Sequence, residues 1–147
     1  MIIQVVDDEF DLVNLIKLYL REIGLNAVGF TDSSLAFEHF RINSKYCMLV
    51  ISDIRMPDMN GFEFVRKAKE INSTVKVFLM TCFETDDLEL SLLSINSSSS
   101  SPLTTKLIVD EFIRKPFSIE NLIMLINKHN IMKNRTKGPI VPPMALL

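Results

Sequence analysis

Acids, a hydroxyl and an amine stand directly after short apolar runs at four places in this chain. Asp7, Asp8 and Glu9 follow IIQVV (2–6). Asp53 follows CMLVI (47–51) after one serine, Thr81 follows VKVFLM (75–80), and Lys115-Pro116 follow a weaker run, EFI (111–113). If these runs are strands of one sheet, the carboxylates of Asp7, Asp8 and Asp53 meet one hydroxyl and one ammonium at a single edge. Three carboxylates beside one cation repel each other. A hard divalent cation such as Mg²⁺, which prefers carboxylates, carbonyls and water in an octahedral set, relieves that repulsion. It would also neutralise an incoming phosphoryl group, with Thr81 donating to one phosphoryl oxygen and Lys115 pairing with another. A carboxylate can then act as nucleophile and form an acyl phosphate, since phosphoryl transfer needs mainly positioning and charge stabilisation.

The runs that place these residues are rich in Val, Ile and Phe. Several are apolar on both faces, as buried parallel strands are. A further run, LNAVGF (25–30), completes a set of five. Between them lie helical patterns. Leu12, Val13, Ile16, Leu20 and Ile23 recur at helical spacing, with Gly24 where a C-terminal glycine belongs. Phe37 and Phe40 mark a second helix. Phe62, Val65, Ala68 and Lys69 mark a third, opened by Asn60-Gly61. Ser118 caps a last helix with Leu122, Ile123, Leu125 and Ile126 inward. Alternating strands and helices imply an α/β, doubly wound, five-stranded parallel sheet with helices on both faces. In such a sheet ligands bind beyond the carboxyl ends of the strands.

Composition narrows the class. A net charge of -2 gives no global attraction to nucleic acid or anionic lipid. Cys47 and Cys82 are too few and too far apart for a disulfide framework or a metal knuckle, and suit a reducing cytosol. The first nine residues lack a basic segment and are broken by Asp7 and Asp8, unlike a signal peptide. No apolar stretch approaches the roughly 20 residues that span a bilayer, so a cytoplasmic chain is expected.

Two segments break the alternation. After a short helical pattern at 88–95, Asn96, Ser97 to Ser101 and Pro102 read as an exposed insertion at about 96–105. Residues 131–147 read as a flexible tail with Gly138 and three prolines. The residues after the last helix are too few for a further folded domain, which needs roughly 50 at least.

The ordered set Asp7-Asp8, Asp53 within DIRMPDMNG, Thr81 within MTCFE and Lys115 within FIRKPF resembles the response-regulator receiver domain of two-component signalling, over residues 1 to about 130. Each motif alone is weak; their order and placement together are specific. The resemblance implies a flavodoxin-like strand order 2-1-3-4-5. It implies that Asp53 is the phosphoacceptor, charged in a Mg²⁺-dependent reaction by a histidine kinase or phosphotransfer protein. Asp8 would bind the metal directly, Asp7 often through water, and Arg55 through its backbone carbonyl. Thr81 would be the switch hydroxyl, Phe112 the switch aromatic and Lys115 the phosphoryl-binding lysine, with a cis bond to Pro116. A stand-alone receiver of this kind signals by contact with a downstream protein, as a monomer or weak dimer without nucleic-acid binding. It catalyses only its own phosphorylation and dephosphorylation.

Three features depart from the family pattern. Cys82 stands where a smaller residue is usual, Phe112 lacks the hydroxyl of the commoner tyrosine, and the Thr81-to-Lys115 interval is long. A degenerate receiver acting as a phosphorylation-independent scaffold is therefore the alternative. A dehalogenase-type phosphohydrolase is disfavoured because Arg55 occupies the place of its second aspartate. A flavodoxin-type cofactor binder is disfavoured because Asp7, Asp8 and Glu9 would repel its phosphate. Taken alone, Asp7 and Asp8 could merely favour a helix start, and Asp53 could be a turn residue. His39 and His129 are expected to be exposed helix residues without a ligand role, and Lys133, Arg135 and Lys137 a solvated cluster.

Overall fold

The structure, a computed structural model, describes residues 1–82 and 109–134. The expected helical pattern at 88–95, the serine-rich insertion and residues 135–147 lie outside that range. Five parallel strands form one sheet: β1 Ile2–Val6, β2 Ala27–Phe30, β3 Cys47–Asp53, β4 Lys76–Thr81 and β5 Glu111–Arg114, in the order β2-β1-β3-β4-β5. Four α-helices are found among the described residues: α1 Phe10–Glu22, α2 Ser33–Asn43, α3 Gly61–Ile71 and α4 Ile119–Lys128.

Every residue of β1 and β3 is buried, which is why these runs are continuously apolar rather than alternating. Each strand still sends alternate side chains to opposite faces. Ile3 and Val5, with Leu49, Ile51, Phe78 and Met80, pack one layer against Val13, Ile16 and Leu20 of α1 and Leu122 and Ile126 of α4. Val6, Val50, Val77 and Leu79 pack the other against Ala36 and Phe40 of α2 and Phe62, Phe64, Val65 and Ala68 of α3. Leu12, Ile23, Ile123 and Leu125 are only partly buried, at the margins of the first layer.

The starts of α2, α3 and α4 are fixed by side-chain caps. Asp32 accepts from the Leu35 N–H (3.0 Å), Asn60 from Glu63 (3.0 Å) and Ser118 from Asn121 (3.2 Å); each cap contributes about 1 kcal/mol. Helix α1 is followed by Gly24 at φ 88°, a left-handed position that glycine takes without strain. The chain does not leave the core at residue 130. Ile131–Asn134 form a 3₁₀ turn, and Ile131 is buried in the first layer.

From β1 the chain crosses to β2 on one side and later to β3 on the other. The order reverses between β1 and β3, and in sheets of this kind ligands bind beyond the carboxyl ends of the strands at such a point.

Candidate functional site

The residues that end β1 and β3 come together at the carboxyl edge of the sheet. Asp7 follows β1 and is fully buried, whereas Asp8 beside it is exposed. Asp53 is the last residue of β3 and 8% exposed. Carboxylate oxygens of Asp7, Asp8 and Asp53 lie within 4.8 Å of one another. Lys115, just past β5, reaches across the sheet end. Its Nζ is 2.6 Å from Asp7 Oδ2, 3.6 Å from Asp53 Oδ1 and 3.9 Å from Glu9 Oε1. The Lys115 N–H also donates to the Thr81 carbonyl (2.7 Å), which ties the end of β4 to the lysine, and the Lys115-Pro116 bond is cis.

Backbone geometry holds the carboxylates in place. Asp7 Oδ1 accepts the Glu9 N–H (2.8 Å), and Asp53 Oδ1 accepts the Ile54 N–H (3.0 Å). The loop after Asp53 closes at its base through the Gly61 N–H and the Ile54 carbonyl (2.9 Å). Helix α3 starts so close to the end of β3 that a Cβ on Gly61 would strike the Asp53 carbonyl and sit 2.9 Å from Ile54 Cα. Asp58, at the far end of the loop, is left-handed at φ 69°. Ser33, the first residue of α2, hydrogen-bonds the backbone on both sides of it.

The response regulator receiver domain family model matches residues 3–127. The chain belongs to the response-regulator receiver family. It is 27% identical over 122 residues to the response regulator receiver protein CpdR of Brucella abortus, spanning 83% of this chain and 90% of CpdR. It is 24% identical to the response regulator SaeR of Staphylococcus epidermidis over 91% of this chain but only 51% of SaeR, so the chain spans about half of that relative. Among solved structures, a response regulator receiver domain protein from Clostridium thermocellum is 26% identical with a TM-score of 0.72, covering 90% of this chain and 96% of that one.

Of the remaining residues singled out by sequence, Thr81, Arg55 and Cys82 fall at the same end of the receiver. Thr81 ends β4 and is buried, one residue past Met80, which pairs with Asp53 in the ladder. Arg55 is exposed in the β3–α3 loop. Phe112 in β5 is half-buried, packed against Phe62 with ring centroids 6.5 Å apart. Cys82 is exposed directly after Thr81. Cys47 is buried at the opposite end of β3, where burial pushes its thiol up to about 12.

Burial dominates the electrostatics of the site. It raises Asp7 above the usual carboxylate range, although the Lys115 hydrogen bond opposes the shift. Burial, reinforced by the charge of Asp7, raises Asp53 to about 6. Burial alone would depress Lys115, but the Asp7 hydrogen bond and the surrounding acids outweigh it and raise the ammonium. The site thus holds a firmly protonated lysine among acids that resist ionising together. A cation can relieve that resistance, so the donor set fits a hard divalent ion.

The two histidines are not exposed as expected. His39 is half-buried with its ring 5.1 Å from Phe30, and burial lowers its pKa. His129 lies 5.2 Å from the Phe78 ring, with Nε2 2.9 Å from Glu111 Oε1. Both rings lie at the edges of the apolar layers, and an imidazole carries enough apolar surface to pack there.

Proposed function

We propose that Asp53 is a phosphoacceptor and that phosphorylation switches a protein-binding surface. The observation that carries this reading is three carboxylates within 4.8 Å of one another, with the Lys115 ammonium beside Asp7 and Asp53. Asp7, Asp8 and Asp53, with the Arg55 backbone carbonyl, would hold Mg²⁺. When bound, the ion supplies positive charge for the oxygens of the phosphoryl group. An Asp53 carboxylate oxygen attacks the phosphorus of a phosphohistidine on a histidine kinase or phosphotransfer protein. The P–O bond forms as the P–N bond breaks, and the imidazole leaves. Lys115 pairs with a phosphoryl oxygen and Thr81 donates to another, drawing the end of β4 inward. Phe112, half-buried against Phe62, responds by repacking. The added charge biases a two-state equilibrium that a downstream protein reads.

The receiver unit is proposed to span residues 1–130 with the serine-rich insertion, and the turn at Ile131–Asn134 packs onto it ahead of the proposed tail. No helix among the described residues is long and apolar enough to cross a membrane; a cytoplasmic, monomeric or weakly dimeric receiver is proposed. Beryllofluoride with Mg²⁺ tests the reading. Backbone resonance shifts should centre on Asp53, Thr81 and Lys115. An unchanged spectrum at saturating beryllofluoride would favour the phosphorylation-independent scaffold.

A further inference from the structure

We infer that Ser33 is a positioning residue for the metal-binding side of this site, an inference that rests on the proposed reading of Asp53 and its neighbours. Ser33 belongs to α2, outside the strand ends that carry the carboxylates, and is 3% exposed. Its hydroxyl donates to the Pro57 carbonyl (2.9 Å) and accepts from the Met59 N–H (3.3 Å). One buried hydroxyl thus uses its donor and an acceptor lone pair on the same loop.

The placement gives these bonds their meaning. Pro57 and Met59 flank Asp58, which stands at φ 69°, a conformation that residues with a Cβ rarely adopt. Asp is one of the few such residues that take it, and a tie to a neighbouring helix fixes where the turn sits. At its base the loop is fixed by the Gly61 N–H on the Ile54 carbonyl and by the close approach of Gly61 to the Asp53 backbone. At its far end the Met59 N–H donates to the Pro57 carbonyl across Asp58 (2.8 Å), and Ser33 ties that closed turn to α2. Arg55 lies between these two anchors, so the position of its carbonyl depends on both. Removing the hydroxyl leaves the base and the Met59–Pro57 bond closed but detaches the far end from α2. The Pro57 carbonyl loses a partner, and the segment containing Arg55 gains freedom that a bound cation would have to remove again.

A hydroxyl that merely stabilises the fold would alter unfolding and leave metal affinity unchanged. A hydroxyl that holds a ligand in place weakens the metal, as partners of metal ligands generally do. By linkage, the metal must in turn tighten the bonds that Ser33 makes.

The test uses the full chain and Mg²⁺ alone, by titration calorimetry and amide hydrogen exchange. Ser33→Ala should bind Mg²⁺ about three- to tenfold more weakly and exchange its Met59 amide faster. Ser33→Thr, which keeps the hydroxyl, should recover most of the affinity. Ser34→Ala, which removes the exposed hydroxyl next in the helix, should match wild type. A folded Ser33→Ala chain with wild-type Mg²⁺ affinity would overturn the inference and leave the reading of the site intact. Failure of the wild-type chain to bind Mg²⁺ would overturn both. If Ser33→Ala does not fold, the wild type decides: saturating Mg²⁺ should slow Met59 amide exchange, and unchanged exchange would overturn the inference.

Discussion

Both edges of the sheet pair acids with lysines, in opposite proportion among the described residues. At the amino edge Asp110, just before β5, is served by two ammonium groups, Lys69 at 3.4 Å and Lys76 at 3.5 Å, and by the Val77 N–H at 2.8 Å. Lys69 also donates to the Val75 carbonyl. At the carboxyl edge, among the described residues, Asp7 and Asp53 share the Lys115 ammonium, with Asp8 beside them. The amino edge is satisfied within the chain and clasps α3, β4 and β5 together. Among the described residues, the carboxyl edge pairs its three acids with fewer ammonium groups than acids. The same residue types make a clasp or a binding site according to which charge is in excess.

Substitutions at each edge sharpen the contrast. Asp53→Asn should have the largest effect: labelling by acetyl phosphate should vanish, and Mg²⁺ should bind far more weakly. Without metal the same change should stabilise the fold near neutral pH, by on the order of 2 kcal/mol, because it removes a carboxylate that burial holds up at about 6. Asp110→Asn should do the reverse. It leaves two lysines without their acid and should cost about 1–3 kcal/mol in urea unfolding, while Mg²⁺ affinity stays as in wild type. Equal loss of metal affinity in both variants would erase the distinction between the edges.

A smaller, pH-dependent difference follows from Asp53. Its carboxyl titrates at about 6 in the folded chain against an ordinary 3.8. The folded chain therefore holds more protons than the unfolded chain between those values, and metal-free stability should fall as pH rises from about 4 to about 6. Mg²⁺ must displace that proton, so its affinity should rise across the same window and level off above it. Calorimetric titration at several pH values reads this directly, and Asp53→Asn should flatten both trends. Glu9→Gln should matter least. The Glu9 side chain is 70% exposed and 3.9 Å from Lys115, so stability should change by less than about 0.5 kcal/mol in thermal melts.

Most of the frame was legible in sequence because a parallel sheet covered on both faces writes itself as continuous apolar runs. The run at 2–6 is β1 residue for residue. Strand β3 continues two residues past its apolar run, because Ser52 and Asp53 pair with Leu79 and Met80 in the ladder. Strand β2 starts two residues late, although Leu25 is buried. The acids and the lysine were legible from their places after the runs. Ser33 was not, since its loop partners lie 24 and 26 residues away and a serine beside a helix cap reads only as local. The two histidines were misjudged because their packing depends on Phe30 and Phe78, contacts that no helical spacing reveals.

The most direct measurement is intact mass after acetyl phosphate, on wild type and Asp53→Asn, with Mg²⁺ and with chelator. Wild type with Mg²⁺ should gain a single phosphoryl group on Asp53, and the other three samples should gain none. An unlabelled wild type, or a label that survives in Asp53→Asn or in chelator, would contradict an Mg²⁺-dependent phosphoacceptor at the end of β3.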